Sequence, residues 1–371
     1  MTSPRLCIVG GIFDKPAEYI ARRAFTPETV LVNGLRAGGW DVQGVGHHAF
    51  DPEERYDLVH VHHLGRAALR MALSRSATPF VYSSHDPMLA SDYGVTRRRH
   101  HMTKLVIERA DAMVALSTPE RETDARRFGS ARPREEVIPN GFPPETFSYR
   151  PVPASAVDDR PAVLFVGQLI PQKGVDVLLK AFAQLDPKAD LLLAYQNSAL
   201  EEMYQDQAVA LGIDDRVRFL GMQSSAELAD RYRMASVLVS SSFAEALPSV
   251  IIEALMCGAP VIATDVGGVS EILASGQHLV PPGDVDALAN ALCDRLANPA
   301  TPKQRAETSA QAIARYSPAS MVASHEALYR ELLAEGGPPR RARRATRLLD
   351  PGIAFVLNRA EPLVVGRGLL S

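Results

Sequence analysis

Short apolar runs of a few residues alternate along this chain with stretches in which apolar positions recur every three to four residues. Compact apolar runs bounded by turn residues read as buried strands, and the longer period reads as amphipathic helix. The alternation is therefore the written form of successive βαβ units on a parallel sheet. The first half predicts strands at residues 6–9, 41–45, 58–61, 80–83, 112–116 and 136–138, with helices near 28–37, 66–74, 95–109 and 119–128. The pattern then stops. Residues 142–161, FPPETFSYRPVPASAVDDRP, are proline-rich and aperiodic, the mark of a linker. A second series predicts strands at 162–166, 191–194, 217–220, 236–240 and 260–263, and residues 284–335 are mostly helical. From Gly336 the character changes, to GGPPRRARRATR and then LLDPGIAFVLNRAEPLVVGRGLLS. The expectation is an α/β protein of two doubly wound, Rossmann-like domains, residues 1–149 and 160–316. Ligands would bind at the carboxyl ends of the strands, facing an interdomain cleft.

The length of 371 residues exceeds what one core supports and agrees with two domains. A formal net charge of -3 argues against general affinity for nucleic acid. Cys7, Cys257 and Cys293 lie far apart in apolar stretches, which is neither a disulfide framework nor zinc spacing and predicts buried, reduced thiols. The start, MTSPRLCIVGG, has too short an apolar core for a signal peptide, and no run approaches a membrane span, so a cytoplasmic protein is expected.

Four features carry candidate chemistry. Gly10 and Gly11 follow the first strand, where bare backbone lets a phosphate or sugar hydroxyl come close; with no G-x-G-x-x-G present, a plain turn is the equal alternative. His85, in FVYSSHDP, ends the fourth predicted strand, a cleft position, whereas His47, His48, His60, His62 and His63 crowd the two preceding strands. Its neighbour Asp86 either orients the ring or caps a turn. In FVGQLIPQKGVDVLLKAF, residues 165–182, a loop with Gly167 and Gly174 leads to a helix beginning near Val175. Lys173 just ahead of that helix adds its charge to the helix dipole and suits a diphosphate; a solvated loop lysine is the alternative. The strongest block is SSSFAEALPSVIIEALMCGAPVIATDVGGVSEIL, residues 240–273. Leu247 and Pro248 predict a helix start with proline at the first helical position. The helix is apolar except for Glu253, whose carboxylate needs partners that the backbone does not offer; ribose hydroxyls suit it, and a basic residue is the alternative. Glu245 lies in the preceding loop, where it reaches the cleft, and first-turn N–H groups there can hold a phosphate.

This block closely resembles the glycosyltransferase family 4 pattern, which has the GT-B fold. The likeness runs through AEALPSVIIEAL with its two glutamates, GAPVIATDVGG and the EIL that follows, with FVGQLIPQKGVDVLLKAF and VIPNGF upstream and LVPPGDVDALANAL downstream. It covers residues 1–335 and is strongest over 137–297. The resemblance implies a retaining, hexosyl-type glycosyltransferase that moves a sugar from a nucleoside diphosphate donor, UDP-sugar favoured over GDP-sugar, to an acceptor hydroxyl. It implies no metal and no cofactor beyond the nucleotide sugar as co-substrate. By position it implies Glu253 on the ribose hydroxyls, and Glu245 with the backbone of Ala246, Leu247 and Pro248 on the transferred sugar and a phosphate. Lys173 would neutralise the diphosphate, and His85 would sit beside the sugar at the reacting centre. Gly11 and Gln168 complete the donor site. The helix near 317–333 would return to the first domain, carrying the tail to 371 with it. Four positions depart from the pattern: Gln168 stands for a usual arginine, Ala246 for a common glycine, LLLAYQNS lacks a glycine-rich turn, and FTPET replaces the glycine pair before the first helix.

Weaker signals sit outside this set. Asp284-Val285-Asp286 is a D-x-D, a metal ligand pattern in the other large glycosyltransferase fold, but it opens a helix after Pro-Gly, where aspartate caps. The basic runs RRRHH at 97–101 and RRARR at 340–344 could meet an anionic inner membrane face or a phosphate-bearing acceptor (a small molecule, glycan or lipid-linked sugar); solvated faces are the commoner explanation. Rival functions are a sugar-nucleotide epimerase or phosphorylase of the same fold, and a non-catalytic two-domain binding protein.

Overall fold

The computed structural model describes residues 3–22, 26–74, 76–84, 96–128, 134–152, 160–185, 189–196, 199–273 and 278–335. They form two units, one of the described residues up to Gly141 together with 318–335, the other of the described residues between Phe142 and Ser317. Unit 1 carries β1 (Arg5–Val9), β2 (Asp41–Val45), β3 (Leu58–His62), β4 (Phe80–Ser83), β5 (Ala112–Ala115) and β6 (Arg134–Val137), all parallel in the order β2-β1-β3-β4-β5-β6. Its helices are α1 (Ala17–Arg22), α2 (Pro27–Ala37), α3 (Arg66–Leu73), α4 (Arg97–Arg109) and α5 (Thr118–Phe128). Both faces of the sheet are buried, as a parallel sheet requires. On β1 the two-residue side-chain period sends Leu6 and Ile8 to one core and Cys7 and Val9 to the other.

Unit 2 repeats the scheme with β7 (Ala162–Val166), β8 (Asp190–Ala194), β9 (Val217–Gly221), β10 (Val237–Ser240), β11 (Val261–Thr264) and β12 (His278–Val280), parallel in the order β12-β11-β10-β7-β8-β9. Its helices are α6 (Val175–Ala183), α7 (Glu201–Ala210), α8 (Ser225–Met234), α9 (Ser249–Met256), α10 (Val269–Ile272), α11 (Val285–Ala297) and α12 (Pro302–Tyr316). The chain then returns to unit 1 as α13 (Pro318–Ala334). Met321, Leu328, Tyr329 and Leu332 of α13 join Val30, Leu31 and Leu35 of α2 and Trp40 in one core. Gly34 makes the close approach of the two helices possible, since a Cβ there would overlap Val322. In each sheet the strand order reverses once, between β1 and β3 and between β7 and β10. Loops diverge at such a point and leave a crevice at the carboxyl ends of the strands.

Three expectations need correction. The first part of the supposed linker packs on unit 2: Phe142 and Phe147 are buried, the Phe142 N–H donates to the Tyr316 carbonyl at 2.8 Å, and the Arg233 Nε donates to the Ser148 carbonyl at 2.8 Å. The division therefore falls before Phe142 and not after residue 149. Cys7 and Cys257 are buried, but Cys293 is exposed, on the outer face of α11. Helix α9 starts at Ser249, so Pro248 is its N-cap residue and not its first helical one. Among the described residues no helix is long and apolar enough to cross a membrane.

Candidate functional site

In unit 2 the reversal of strand order puts the loop after β7 beside the loop after β10. The first loop ends in one turn of 3-10 helix, Pro171–Lys173, and then Gly174, which precedes α6. Gly174 sits at φ +62°, and a Cβ on it would run into the Ser241 carbonyl oxygen, so conformation and space both demand glycine. Three hydrogen bonds join the loops. The Phe243 N–H donates to the Gln172 carbonyl at 2.8 Å, Gln172 Nε2 to the Ala244 carbonyl at 2.9 Å, and Ser241 Oγ to the Lys173 carbonyl at 3.0 Å.

This stitching brings Lys173 onto Glu245. Nζ lies 2.6 Å from Glu245 Oε1, and Ser242 Oγ donates to the same oxygen at 2.7 Å. A buried carboxylate is costly without such partners. The Glu245 side chain is 8% exposed and that of Lys173 23%, so the ammonium reaches the rim of the crevice while the carboxylate stays inside. The loop after β11 clamps the same segment from its other side. Thr264 Oγ1 donates to the Ser242 carbonyl at 2.5 Å and the Gly268 N–H to the Ala246 carbonyl at 2.9 Å. Gly267, at φ +54°, lies where a Cβ would overlap the Glu245 carbonyl. Ala246, Leu247 and Pro248 are buried and lead into α9, whose first N–H groups have no side-chain cap. A cation, a fixed carboxylate and an uncapped helix N-terminus on adjoining loops suit a ligand that carries both phosphate and hydroxyl groups.

Glu253 stands apart from this pair. Its Oε2 accepts from the Tyr232 hydroxyl of α8 at 2.9 Å, and it makes no hydrogen bond or ion pair with Lys173 or Glu245. Its partner is thus a phenol and not a basic residue. Burial pushes its carboxyl up to about 7, against the pull of the Tyr232 hydrogen bond. Gln168 is exposed. Gly11 lies in unit 1 and opens a short 3-10 turn, Gly11–Asp14. His85 and the basic run 340–344 fall outside the described residues. The D-x-D serves local structure: Asp284 caps α11 by accepting from the Ala287 N–H at 2.9 Å, and Asp286 accepts from Gln184 Nε2 at 3.0 Å. Sequence reading passes over Ser242 and Thr264, which fix Glu245, and Tyr232, which fixes Glu253. The one signal for Ser242 is its place in a row of three serines, residues 240–242, directly after an apolar run.

Both halves of the chain match family models, in order: Glycosyltransferase Family 4 over residues 31–146 and Glycosyl transferases group 1 over residues 152–315. The D-inositol 3-phosphate glycosyltransferase of Rhodococcus opacus is 32% identical over 246 residues, covering 60% of this chain and 55% of that protein. The enzyme of the same name from Saccharomonospora viridis is 34% identical over 277 residues, covering 66% and 63%. The chain thus spans a little over half the length of the first curated relatives it matches. Among solved structures, a sucrose-phosphate synthase from Thermosynechococcus elongatus superposes with a TM-score of 0.75 at 23% identity, covering 89% of this chain and 99% of that one. Anabaena HepE in complex with UDP and glucose gives 0.70 at 21% identity, covering 89% and 100%. The solved structures establish the GT-B fold, and the paired matches establish the lineage. The chain belongs to the GT-B glycosyltransferases, with a family 4 first half and a group 1 second half.

Proposed function

We propose that this glycosyltransferase moves a hexosyl group from a UDP-sugar to an acceptor hydroxyl with retention of anomeric configuration. The observation that carries the reading is the Lys173–Glu245 pair, locked at 2.6 Å where the strand order of unit 2 reverses. As the bond between the anomeric carbon and the diphosphate oxygen breaks, the electron pair stays on the diphosphate. Lys173 meets that charge, together with the first N–H groups of α9, and this role needs no divalent cation or further cofactor. Glu245 accepts hydrogen bonds from hydroxyls of the transferred sugar and Glu253 from the ribose, and Gln168, in the loop after β7, contributes to the same donor site. The preference for uridine draws support from HepE, whose solved complexes hold UDP, glucose and UDP-glucose. The same reading places the enzyme in the cytoplasm, with the run 97–101 on α4 as its candidate contact with an anionic surface.

The test incubates the full chain with UDP-, GDP- and ADP-glucose, with and without acceptors that include D-inositol 3-phosphate, the substrate in the names of the curated relatives. The expected result is nucleotide release from UDP-glucose only when an acceptor is present, with an α-linked product by NMR. Preference for GDP-glucose or a β-linked product would contradict the donor and the stereochemistry respectively. Interconversion of the donor sugar, or consumption of free phosphate, would point to an epimerase or a phosphorylase instead.

A further inference from the structure

Helices α8 and α9 pack side by side in unit 2, and Glu253 meets its partner between them. Tyr232 of α8 is fully buried, and its hydroxyl donates to Glu253 Oε2 at 2.9 Å. Among the described residues the Glu253 carboxylate makes no other hydrogen bond or ion pair. From Ile251 to Met256 every residue of α9 is buried except Glu253, which keeps partial exposure. One carboxylate oxygen is thus tied to a phenol, while the other has no donor of its own among the described residues. Tyr232 is itself held from behind. Its ring lies against Phe147, with centroids 6.4 Å apart. The next residue of α8, Arg233, donates from Nε to the Ser148 carbonyl at 2.8 Å and from Nη2 to that of Thr146. Arg305 of α12 donates from Nη2 to the carbonyls of Tyr232 at 3.3 Å and Arg233 at 2.6 Å, which closes the end of α8. The fold therefore sets the hydroxyl in place, and a preset group costs little ordering when a ligand arrives.

The charged and titratable groups nearby are committed elsewhere. Cys257, one turn further along α9, has its thiol pushed up to about 12 by burial and stays uncharged at neutral pH. Arg233 is taken up by Asp230, at 2.7 Å, and by its two carbonyls, and Arg305 by the carbonyls that end α8. Lys173 lies on Glu245. Burial holds the Tyr232 phenol well above its ordinary value, so it remains a donor throughout the neutral range. Burial likewise pushes Glu253 up to about 7, and the Tyr232 hydrogen bond pulls back toward the ionised form. A carboxylate accepts from neighbouring hydroxyls through both oxygens, whereas a carboxylic acid has one oxygen turned into a donor. The Tyr232 hydroxyl thus governs both the direction of Glu253 and its capacity to accept.

We infer that Tyr232 is the positioning residue of the donor site: by holding Oε2 of Glu253 it aims the free oxygen at the ribose, and so sets the preference for ribonucleotides over nucleotides that lack those hydroxyls. The inference rests on the transferase reading above, with Glu253 on the ribose. It is tested by calorimetric titration of the full chain with UDP and with 2′,3′-dideoxy-UDP, from about pH 6 to about pH 8.5. The readout is the ratio of the two affinities, in which the titration of the diphosphate itself cancels. In the wild type the ratio should rise in favour of UDP as pH passes about 7 and Glu253 ionises. Tyr232→Phe should lower the ratio at neutral pH about tenfold, the effect of one lost hydrogen bond to a charged group, and move the rise to higher pH. It should leave binding of the dideoxy compound, and kcat at saturating UDP-glucose, within about twofold. Glu253→Gln, which keeps the Tyr232 contact but cannot ionise, should lower the ratio and abolish its pH dependence. Equal weakening of both ligands in Tyr232→Phe, an unmoved pH midpoint, or a wild-type pH dependence in Glu253→Gln would each overturn the inference. A wild type that binds UDP and its dideoxy analogue alike would remove the ribose from Glu253, and this inference with it. A wild type that binds neither would remove the transferase reading itself.

Discussion

In the proposed reading Lys173 and Glu253 both contact the donor, but they differ in when their contacts matter. The proposed role of Lys173 is to meet charge that grows as the sugar departs, so its contact would strengthen in the transition state. The proposed role of Glu253 is to meet ribose hydroxyls, which do not change. Lys173→Ala should lower kcat by roughly 10²–10³-fold, the loss typical of one preorganised charge-stabilising donor. Glu253→Gln should act mainly on the donor KM, since its amide oxygen still accepts from Tyr232. Steady-state kinetics on both variants checks this. Melting temperatures must accompany them, because Lys173→Ala leaves the buried Glu245 carboxylate with Ser242 alone as a donor. A Lys173→Ala variant altered only in KM would refute the division of roles. Lys173 and Glu245 are legible in the sequence because turn residues bracket them and fix where they lie. Ser242 and Tyr232 are not: a serine among three and a tyrosine 21 residues from its partner acquire their roles only through tertiary packing.

At the scale of elements, buried titratable groups tie helices to strands, and they set a pH dependence with opposite sign in the two units. In unit 1, His60 of β3 bonds Tyr329 of α13 at 2.6 Å and Ser83 of β4 at 2.8 Å, and its ring stacks on His62 at 4.3 Å. Burial lowers His62 to about 3 and His325 of α13 to about 4, from an ordinary 6.5. Below pH 6.5 the unfolded chain therefore binds more protons than the folded one, and unit 1 loses stability as pH falls toward 4. Glu253 runs the other way. Its folded value of about 7 against 4.5 makes the folded state the better proton binder, so its contribution weakens as pH rises from 4.5 to 7. The chain has a single tryptophan, Trp40, buried in unit 1, so its fluorescence follows that unit. Urea unfolding followed by Trp40 should show a midpoint that falls between pH 7 and 4.5, and His325→Gln should reduce the fall; a flat profile would contradict it. The hydrophobic pattern marks every strand except β12. That strand is three residues long with Leu279 40% exposed, and so offers no apolar run to read. The linker misreads for a related reason: Phe142 and Phe147 anchor residues whose spacing follows neither period.

At the scale of the molecule, each unit is an open parallel sheet whose single reversal of strand order leaves a crevice at the carboxyl ends of its strands. In unit 2 the loops at that point carry a lysine and an uncapped helix N-terminus. The two-fold repetition of βαβ units is legible from the pattern alone. The strand orders are not, because pairing between distant strands leaves no local trace in the sequence. Unit 1 is also discontinuous in sequence, completed by α13 after the whole of unit 2. The central claim is that unit 2 holds the diphosphate of a nucleotide sugar at Lys173. Calorimetric titration of the full chain with UDP and with uridine, for the wild type and Lys173→Ala, tests it most directly. UDP should bind the wild type and bind Lys173→Ala about tenfold or more weakly, the effect of one charge-assisted contact to phosphate, while uridine should bind both alike. Equal UDP affinity in the two proteins, or an equal loss of uridine binding, would contradict the account.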